Sequence, residues 1–211
     1  MESDRLLKTN DHVLFYGDSI TDCDQASGIN EGLGWGYAAM AAGTLMARHP
    51  ELNIRCSNKG LSGYRVFDLE RRLEELVLAI KPTVVSILIG INDTWRRYDQ
   101  NIISEIPAFE DCYRRILSTI RRELSARLVI CEPFLLPNPA DRAAWRQDLD
   151  PRIAAVRRVA MDYGATYVPL DGIFAAAACR REMEYWAPDG VHPTAAGHGL
   201  IAQAWLAAVG A

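Results

Sequence analysis

Short apolar runs rich in Val and Ile alternate along this chain with longer segments in which apolar residues recur at helical spacing. This alternation is typical of a parallel sheet covered by helices on both faces, because parallel strands need crossover connections and are buried on both sides. We therefore predict an α/β fold, a three-layer α/β/α sandwich around a five-stranded parallel sheet. The predicted strands are 13–16, 54–58, 84–89, 128–132 and 166–169. The predicted helices are 37–48, 66–80, 109–125, 151–163 and 194–209.

The segment 66–80 shows the helical spacing most clearly, with one face apolar and the other charged. Its apolar face comprises Val66, Leu69, Leu73, Leu76, Val77 and Ile80. The segment 133–149 lacks this spacing and contains three prolines. We therefore predict that it forms a loop over one end of the sheet.

The chain has 211 residues, of which 49% are hydrophobic and 24% charged, as expected for one soluble domain spanning 1–211. Its net charge of -4 argues against nucleic acid or an anionic membrane as a partner, since both bind basic surfaces. The charged N-terminal segment lacks the apolar stretch of a signal peptide, so we expect a cytoplasmic protein. Five scattered cysteines without a Cys-x-x-Cys pair favour reduced thiols over disulfides or a zinc site.

A serine follows the first predicted strand directly, in the run Gly17-Asp18-Ser19-Ile20-Thr21. Ligands of open α/β sheets bind beyond the carboxyl ends of the strands, so a substrate could reach the Ser19 hydroxyl there. Taken alone, Ser19 could also cap a helix while Asp18 accepts hydrogen bonds in a turn.

An aspartate and a histidine, Asp189 and His192, lie three residues apart just before the last predicted helix. A serine hydroxyl becomes a useful nucleophile when an imidazole takes its proton and a carboxylate holds that imidazole. Ser19, His192 and Asp189 are therefore a candidate catalytic triad of a serine hydrolase. Asp and His also bind metals, but the remaining histidines lie in unrelated sequence contexts, so no metal is expected. We interpret His198, inside the last helix, as a packed histidine.

Two further motifs end the second and third predicted strands. Gly60, in Asn58-Lys59-Gly60-Leu61-Ser62-Gly63, could present a backbone N–H to a substrate oxygen without a Cβ in the way. Asn92, in Gly90-Ile91-Asn92-Asp93, could present its side-chain NH2 in the same way. Each residue could instead serve only a tight turn, and Ser62 is the alternative nucleophile. The joint occurrence of these motifs at strand ends favours catalysis.

Together these residues resemble the four sequence blocks of the SGNH hydrolases, also called the GDSL family of esterases and lipases, in the same order and over nearly the whole chain. The resemblance implies a flavodoxin-like fold, with Ser19 as nucleophile and with His192 and Asp189 completing the triad. It also implies an oxyanion hole formed by Ser19, Gly60 and Asn92, with no cofactor. The first block reads Gly-Asp-Ser-Ile rather than Gly-Asp-Ser-Leu, a common variant. Members of the family often assemble, so the resemblance is compatible with a homo-oligomer.

The sequences around Ser19, Gly60, Asn92 and His192 are most similar to those of intracellular carbohydrate acetylesterases, especially acetyl-xylo-oligosaccharide esterases. This similarity implies a serine esterase that hydrolyses O-acetyl groups on small carbohydrates through a covalent acyl-serine intermediate. A lysophospholipase or an acyl-CoA thioesterase would use the same triad. A non-catalytic carbohydrate-binding protein is an alternative of another class.

Three tryptophans, Trp35, Trp95 and Trp186, lie near these motifs in the sequence. A flat indole can stack on the apolar face of a sugar ring, so we predict that they bind substrate. Asp18, beside the nucleophile, is grouped with them as a substrate-binding residue. The alternative for each tryptophan is packing in the core, which we predict for Trp205.

Overall fold

Five parallel strands form a single sheet in the order β2-β1-β3-β4-β5 in the computed structural model, which describes residues 6–211. The strands are β1 His12–Gly17, β2 Arg55–Gly60, β3 Val84–Leu88, β4 Arg127–Cys131 and β5 Thr166–Val168. This order is that of flavodoxin-like folds, and its direction reverses between β1 and β3. The predicted α/β sandwich and its five-stranded parallel sheet are confirmed.

Ten helical segments connect and cover the strands in the part of the chain that is described. They are α1 Ser19–Asp22, α2 Ile29–Gly32, α3 Tyr37–Arg48, α4 Val66–Arg71, α5 Ile91–Asp99, α6 Ile106–Leu124, α7 Arg146–Asp162, α8 Leu170–Ala178, α9 Met183–Trp186 and α10 Ala195–Val209. Short 3-10 turns occur at Gln25–Ser27, Pro50–Leu52 and Ala140–Trp145, and a π-helical turn at Glu74–Leu78. None of the helices within residues 6–211 is long and apolar enough to cross a membrane.

Side chains alternate along the strands between two hydrophobic cores, one on each face of the sheet. Phe15 of β1 packs in the first core with residues of α3, α8 and α10, whereas its neighbour Leu14 packs in the second core with residues of α4 and α6. Trp205 is completely buried in the first core, as predicted, and its indole N–H donates to Ser86 Oγ. The sheet and the helices on its two faces are the three layers of the sandwich, and one core lies between each pair of adjacent layers.

Several helix boundaries differ from the predicted ones. The segment 66–80 is divided into α4 and a π-helical turn, although its apolar residues Val66, Leu69 and Val77 are buried as the pattern indicated. Helix α7 begins at Arg146, five residues before the predicted start, and contains Pro151 in its interior. Apolar spacing reports which face is buried, but it does not fix where hydrogen bonding begins or changes spacing.

Five helices, α1, α2, α5, α8 and α9, were absent from the predicted set, and the predicted loop 133–149 ends in helical structure from Ala140 onward. Helix α5 is highly charged and nine residues long, so its sequence has too few apolar positions to show a helical repeat. It nevertheless lies at the carboxyl end of β3, beside the predicted site.

The first three strands end at the same level of the sheet. Gly17 at the end of β1 is in register with Gly60 of β2 and with Leu88 of β3. A Cβ on Gly17 would lie 2.3 Å from the Leu88 carbonyl oxygen, so a side chain at this position would push the two strands apart. The residues that follow these strands therefore meet beside the point where the strand order reverses, which is the usual ligand site of such sheets.

Candidate active site

Ser19 is the first residue of α1, two residues beyond the end of β1. Asp18 is the N-cap of this short helix, and its Oδ1 accepts the N–H of Ile20 at 3.0 Å. This cap fixes the turn from strand to helix and leaves Ser19 partly exposed. The backbone N–H of Ser19 has no acceptor within residues 6–211, so it is free to bind a ligand.

His192 and Asp189 lie in the loop between α9 and α10, and hydrogen bonds join them to Ser19. Ser19 Oγ is 3.0 Å from His192 Nε2, although the two residues are 173 positions apart in the sequence. His192 Nδ1 is 2.7 Å from Asp189 Oδ2. The three predicted triad residues therefore form one hydrogen-bonded line at the carboxyl end of the sheet.

The Asp189 carboxylate is held by its own loop. Its Oδ1 accepts the backbone N–H of Val191 at 3.0 Å and that of His192 at 2.7 Å. Gly190, which lies between Asp189 and Val191, has a φ of +79°, and a Cβ there would lie 2.3 Å from the Leu136 carbonyl oxygen. This turn therefore requires glycine, and it aims the second carboxylate oxygen at the imidazole.

Burial and hydrogen bonding shift the pKa values of the two groups in opposite directions. Partial burial favours a protonated Asp189, but the hydrogen bonds from the His192 ring and from two backbone N–H groups outweigh it and lower the Asp189 pKa to about 2. The hydrogen bond to Asp189 raises the pKa of His192 above its ordinary value of 6.5, against the opposing effect of desolvation. Near neutral pH, Asp189 is therefore ionised and holds the imidazole in the tautomer with hydrogen on Nδ1, which leaves Nε2 to accept the Ser19 proton.

Asn92 lies in the first turn of α5 and is almost completely buried. Its side-chain Nδ2 donates to the Tyr64 carbonyl oxygen at 3.0 Å, which ties α5 to the loop after β2. An amide NH2 has two hydrogens, so one remains for a ligand. The structure thus places Asn92 just after β3, and β3 is adjacent in the sheet to β1, which precedes Ser19.

Gly60 is buried, and its N–H is already in use. It donates to Asn58 Oδ1 at 2.8 Å, and a Cβ on Gly60 would lie 2.2 Å from the Asp22 nitrogen. Gly60 therefore lets β2 pack closely against α1, and its N–H is not available to a substrate in this structure. Gly63, three residues later, is exposed and has a φ of +81°. Its N–H has no acceptor within the described residues, and sequence reasoning missed it.

The loop that carries Gly63 faces the cavity beside the triad. This cavity has a volume of about 340 Å³, and its lining residues include Ser19, His192, Trp35 and Ser62. Both the N–H and the hydroxyl of Ser62 donate to Asp22 Oδ2, at 3.2 and 2.7 Å. Ser62 therefore has a carboxylate partner and no imidazole, which disfavours it as the alternative nucleophile.

His198 is packed under this cavity, as predicted. Its Nδ1 accepts the N–H of Tyr37 at 3.2 Å, and its Nε2 is 3.4 Å from the Cys23 sulfur. Burial, with a smaller contribution from His192, lowers the pKa of His198 to about 4, so it stays neutral. Within residues 6–211 no group of three or more His, Cys, Asp or Glu side chains is arranged to hold a metal ion.

Two of the four predicted substrate-binding residues lie at the site. Trp35 is half exposed on the wall of the cavity and packs edge-on against His198, with ring centroids 5.3 Å apart. Trp95, on α5, packs against His192, with ring centroids 5.6 Å apart. Both indoles are therefore near enough to the triad to contact a substrate.

The other two are buried, so their side chains offer almost no surface to a substrate. Asp18 has no exposed surface and supports the turn before Ser19, and burial raises its pKa to about 7. Trp186 is 6% exposed, and its carbonyl oxygen accepts the N–H of Thr194 at 2.9 Å, which braces the loop of His192. Their positions in the sequence next to catalytic motifs reflect supporting roles, because neighbours of a catalytic residue commonly fix its backbone.

A cluster of aromatic residues next to His192 was not predicted. Trp95 packs on Trp145, with centroids 5.3 Å apart, and Tyr98 stacks on the same ring at 5.2 Å. Arg142 lies over both indoles, with its guanidinium carbon 4.0 Å from the Trp145 ring centroid. Tyr98 belongs to a helix absent from the predicted set and Trp145 to the predicted loop, so no sequence pattern indicated that their rings meet.

Comparisons with known proteins agree with this geometry. Residues 15–200 match the GDSL-like Lipase/Acylhydrolase family. The chain is 37% identical over 209 residues to an acetylxylan esterase of Geobacillus stearothermophilus, which covers 96% of this chain and 95% of the relative.

Solved structures give the same result. A GDSL-like lipase of Parabacteroides merdae superposes with a TM-score of 0.92 at 33% identity, covering 97% of both chains. The acetylxylan esterase Axe2 of Geobacillus stearothermophilus superposes with a TM-score of 0.89 at 33% identity, over 97% of this chain and 96% of that one. Catalytic mutants of Axe2 with a serine or a histidine replaced by alanine have also been crystallised. This chain belongs to the GDSL-like lipase/acylhydrolase family and is a serine esterase of the SGNH type.

Proposed function

We propose that this esterase removes O-acetyl groups from small carbohydrates such as xylo-oligosaccharides, through a covalent acetyl-serine intermediate on Ser19. The observation that carries the proposal is the hydrogen-bonded line from Ser19 Oγ through His192 to Asp189, at 3.0 and 2.7 Å. No cofactor or metal is needed for this chemistry, because the protein supplies the nucleophile, the base and the orienting carboxylate.

In the first half of the reaction, Ser19 Oγ attacks the ester carbonyl carbon while its proton passes to His192 Nε2. The tetrahedral intermediate then collapses, and the bond to the sugar oxygen breaks as His192 returns the proton to that oxygen. In the second half, water attacks the acetyl-serine in the same way, which releases acetate and restores Ser19. Asp189 stays ionised throughout and stabilises the imidazolium in each half.

The negative oxygen of each tetrahedral intermediate needs donors that are already in place. We propose that the N–H of Ser19, the N–H of Gly63 and Nδ2 of Asn92 supply them, with Gly63 in the role first predicted for Gly60. This choice is supported by the exposed, unpartnered N–H of Gly63 and by the hydrogen bond that occupies the N–H of Gly60. Removal of the Asn92 amide by substitution with alanine is expected to lower kcat by about 10² to 10³.

The carbohydrate assignment is supported by the acetylxylan esterase relatives and by the exposed indole of Trp35 at the cavity beside Ser19. Sugar rings have apolar faces that stack on indoles and hydroxyl rims that need polar partners. The Trp95 indole against His192 offers a second such face.

The nucleophile can be tested with a fluorophosphonate probe followed by peptide mass analysis. Ser19 is expected to carry the label, and Ser19→Ala should lose activity on 4-nitrophenyl acetate by on the order of 10⁶. Ser62→Ala is the matched control, because Ser62 lines the same cavity and lacks an imidazole partner. A label on Ser62, or near wild-type activity of Ser19→Ala, would reject the proposed mechanism.

The substrate class can be tested with a panel of acetylated xylo-oligosaccharides, a medium-chain lipid ester and an acyl-CoA. The proposal expects release of acetate from the oligosaccharides at the highest kcat/KM. Preference for the lipid ester would indicate a lysophospholipase, and preference for the acyl-CoA would indicate a thioesterase. Binding of the sugars without any turnover would indicate a non-catalytic carbohydrate-binding protein.

A further inference from the structure

A second cavity is lined in part by Trp95, whose ring packs against His192, and we name it the side pocket. Its volume is about 430 Å³, and its lining combines three aromatic rings with three charged groups. The lining residues are Trp95, Tyr98, Asp99, Asp141, Arg142, Ala144 and Trp145. Trp95 links the side pocket to the triad, since its ring packs against Trp145 of the pocket and also against the His192 ring.

The side chains of the side pocket are held in place by one another. Tyr98 lies parallel to Trp145, with an interplanar angle of 13°, and its hydroxyl donates to the Ala144 carbonyl oxygen at 2.8 Å. Arg142 packs on the Trp145 ring and pairs with Asp141 at 2.9 Å. Trp145 is only 3% exposed, whereas Tyr98 is 40% exposed. The pocket therefore presents an ordered aromatic surface that does not have to form when a ligand arrives.

The chemistry of the lining selects among ligand classes. The carboxylates of Asp99 and Asp141 are paired with Arg96 and Arg142, so the side pocket offers no uncompensated positive charge to an anionic ligand such as a phosphate. The charged groups of Asp141 and Arg142 also disfavour an acyl chain, which cannot hydrogen-bond to them. A neutral ring with an apolar face and a rim of hydroxyl groups fits both parts of the lining, because it can stack on the aromatic side chains and hydrogen-bond to the charged ones.

The position of His192 indicates where such a ring would come from. His192 must return its proton to the leaving sugar oxygen, so the acetylated sugar has to lie beside this imidazole. The next sugar of the same oligosaccharide is then also close to His192. The Trp95 indole, which contacts His192, is part of the wall of the side pocket. Ring contacts run from Trp95 through the buried Trp145 to Tyr98, with neighbouring ring centroids 5.3 and 5.2 Å apart. The rings that a ligand can reach are therefore those of Trp95 and Tyr98.

We propose that the side pocket is a binding subsite for the neutral sugar residue that is glycosidically linked to the acetylated one. This proposal rests on the proposed function, because it assumes that the leaving group is part of a short oligosaccharide. It makes the enzyme selective for acetylated oligosaccharides over acetylated monosaccharides.

The first test measures kcat/KM of the wild type and of Tyr98→Ala for acetylated xylobiose and for 4-nitrophenyl acetate. The ratio of the two values is expected to fall by roughly 2- to 12-fold in Tyr98→Ala, the range for loss of one ring stacking contact. Tyr98→Phe, which keeps the ring, should retain most of the ratio. Met161→Ala is the control, because Met161 is exposed near the C-terminus of α7, whereas Trp145 of the side pocket directly precedes its N-terminus. An unchanged ratio in Tyr98→Ala would overturn the proposal, including when both rates fall together because the variant disturbs the triad.

The second test separates this proposal from the proposed function. Ser19→Ala protein is titrated with unacetylated xylobiose and xylotriose, with and without Tyr98→Ala, and binding is measured by calorimetry. Binding that weakens when Tyr98 is replaced supports the subsite even if the wild type fails to hydrolyse acetylated xylo-oligosaccharides, in which case only the proposed function fails. Absence of binding, or binding unaffected by Tyr98→Ala, overturns the subsite whatever the wild type hydrolyses.

Discussion

Each group of the proposed triad depends on a separate local device. Asp18 caps the turn that presents Ser19, and Gly190 permits the turn that lets Asp189 accept two backbone N–H groups. Because the carboxylate is fixed by its own loop, the orientation of the His192 ring is set before any substrate binds. The order of this site is therefore a property of short loops, which the sheet only brings together.

The pH dependence of the reaction follows from the pKa of His192. The base must be neutral to take a proton from Ser19, so kcat/KM should fall as the pH drops through the His192 pKa, which hydrogen bonding to Asp189 raises above 6.5. Asp189→Asn removes this interaction. The midpoint of the profile should then move to lower pH, and kcat should fall by about 10⁴, because the imidazole loses the partner that fixes its tautomer.

This prediction is checked by pH–rate profiles on a small acetyl ester. His12→Gln is the control, because His12 lies on β1 and its Nε2 pairs with Ser57 Oγ at 2.8 Å, outside the triad. The same midpoint in wild type and Asp189→Asn would contradict the assignment of Asp189 as the partner of His192.

At the scale of elements, a buried polar network joins α5, which carries Asn92 and Trp95, to α7 through Thr94. Arg152 of α7 is completely buried, and its Nη2 donates to Asp148 Oδ2 and to the Ser104 carbonyl oxygen, both at 2.9 Å. Its Nε donates to Thr94 Oγ1 at 3.2 Å, and Thr94 Oγ1 in turn donates to Asp148. The position of α5 over the end of β3 thus depends on this polar network as well as on Ile91, which packs in the first core.

Arg152→Ala is expected to lower the free energy of unfolding by about 3 to 5 kcal/mol, because it leaves the Asp148 carboxylate buried without its main partner. Arg122→Ala is the matched control: Arg122 pairs with Glu123 on the surface, and its loss should cost about 1 kcal/mol or less. Urea unfolding followed by circular dichroism measures both values. Equal losses in the two variants would show that the buried network does not hold α5 in place.

At the scale of the whole molecule, local patterns were enough to predict the layers and to select the three residues of the proposed triad, but not the side-chain contacts around them. The short apolar runs predicted the strands because each parallel strand is buried on both faces. The motif around Ser19 predicted a nucleophilic serine. The prediction of Gly60 as an oxyanion donor did not foresee that its N–H donates to Asn58 Oδ1. The spacing of residues along the sequence does not reveal such a side-chain contact. The side pocket was missed for the same kind of reason, since Tyr98 and Trp145 meet only through the packing of α5 against the segment before α7.

The separation of the catalytic residues along the chain leads to a prediction about unfolding. Ser19 and His192 lie 173 positions apart, and they meet only because β1 and α10 pack in the same core. The loop of His192 is anchored by the buried residues Val191 and Trp186. Loss of the site should therefore require loss of the first core, so esterase activity and tryptophan fluorescence should show the same urea midpoint. If activity disappeared at a distinctly lower urea concentration than the fluorescence signal, the loop of His192 would be opening locally, and its anchoring in the core would be weaker than the buried contacts indicate.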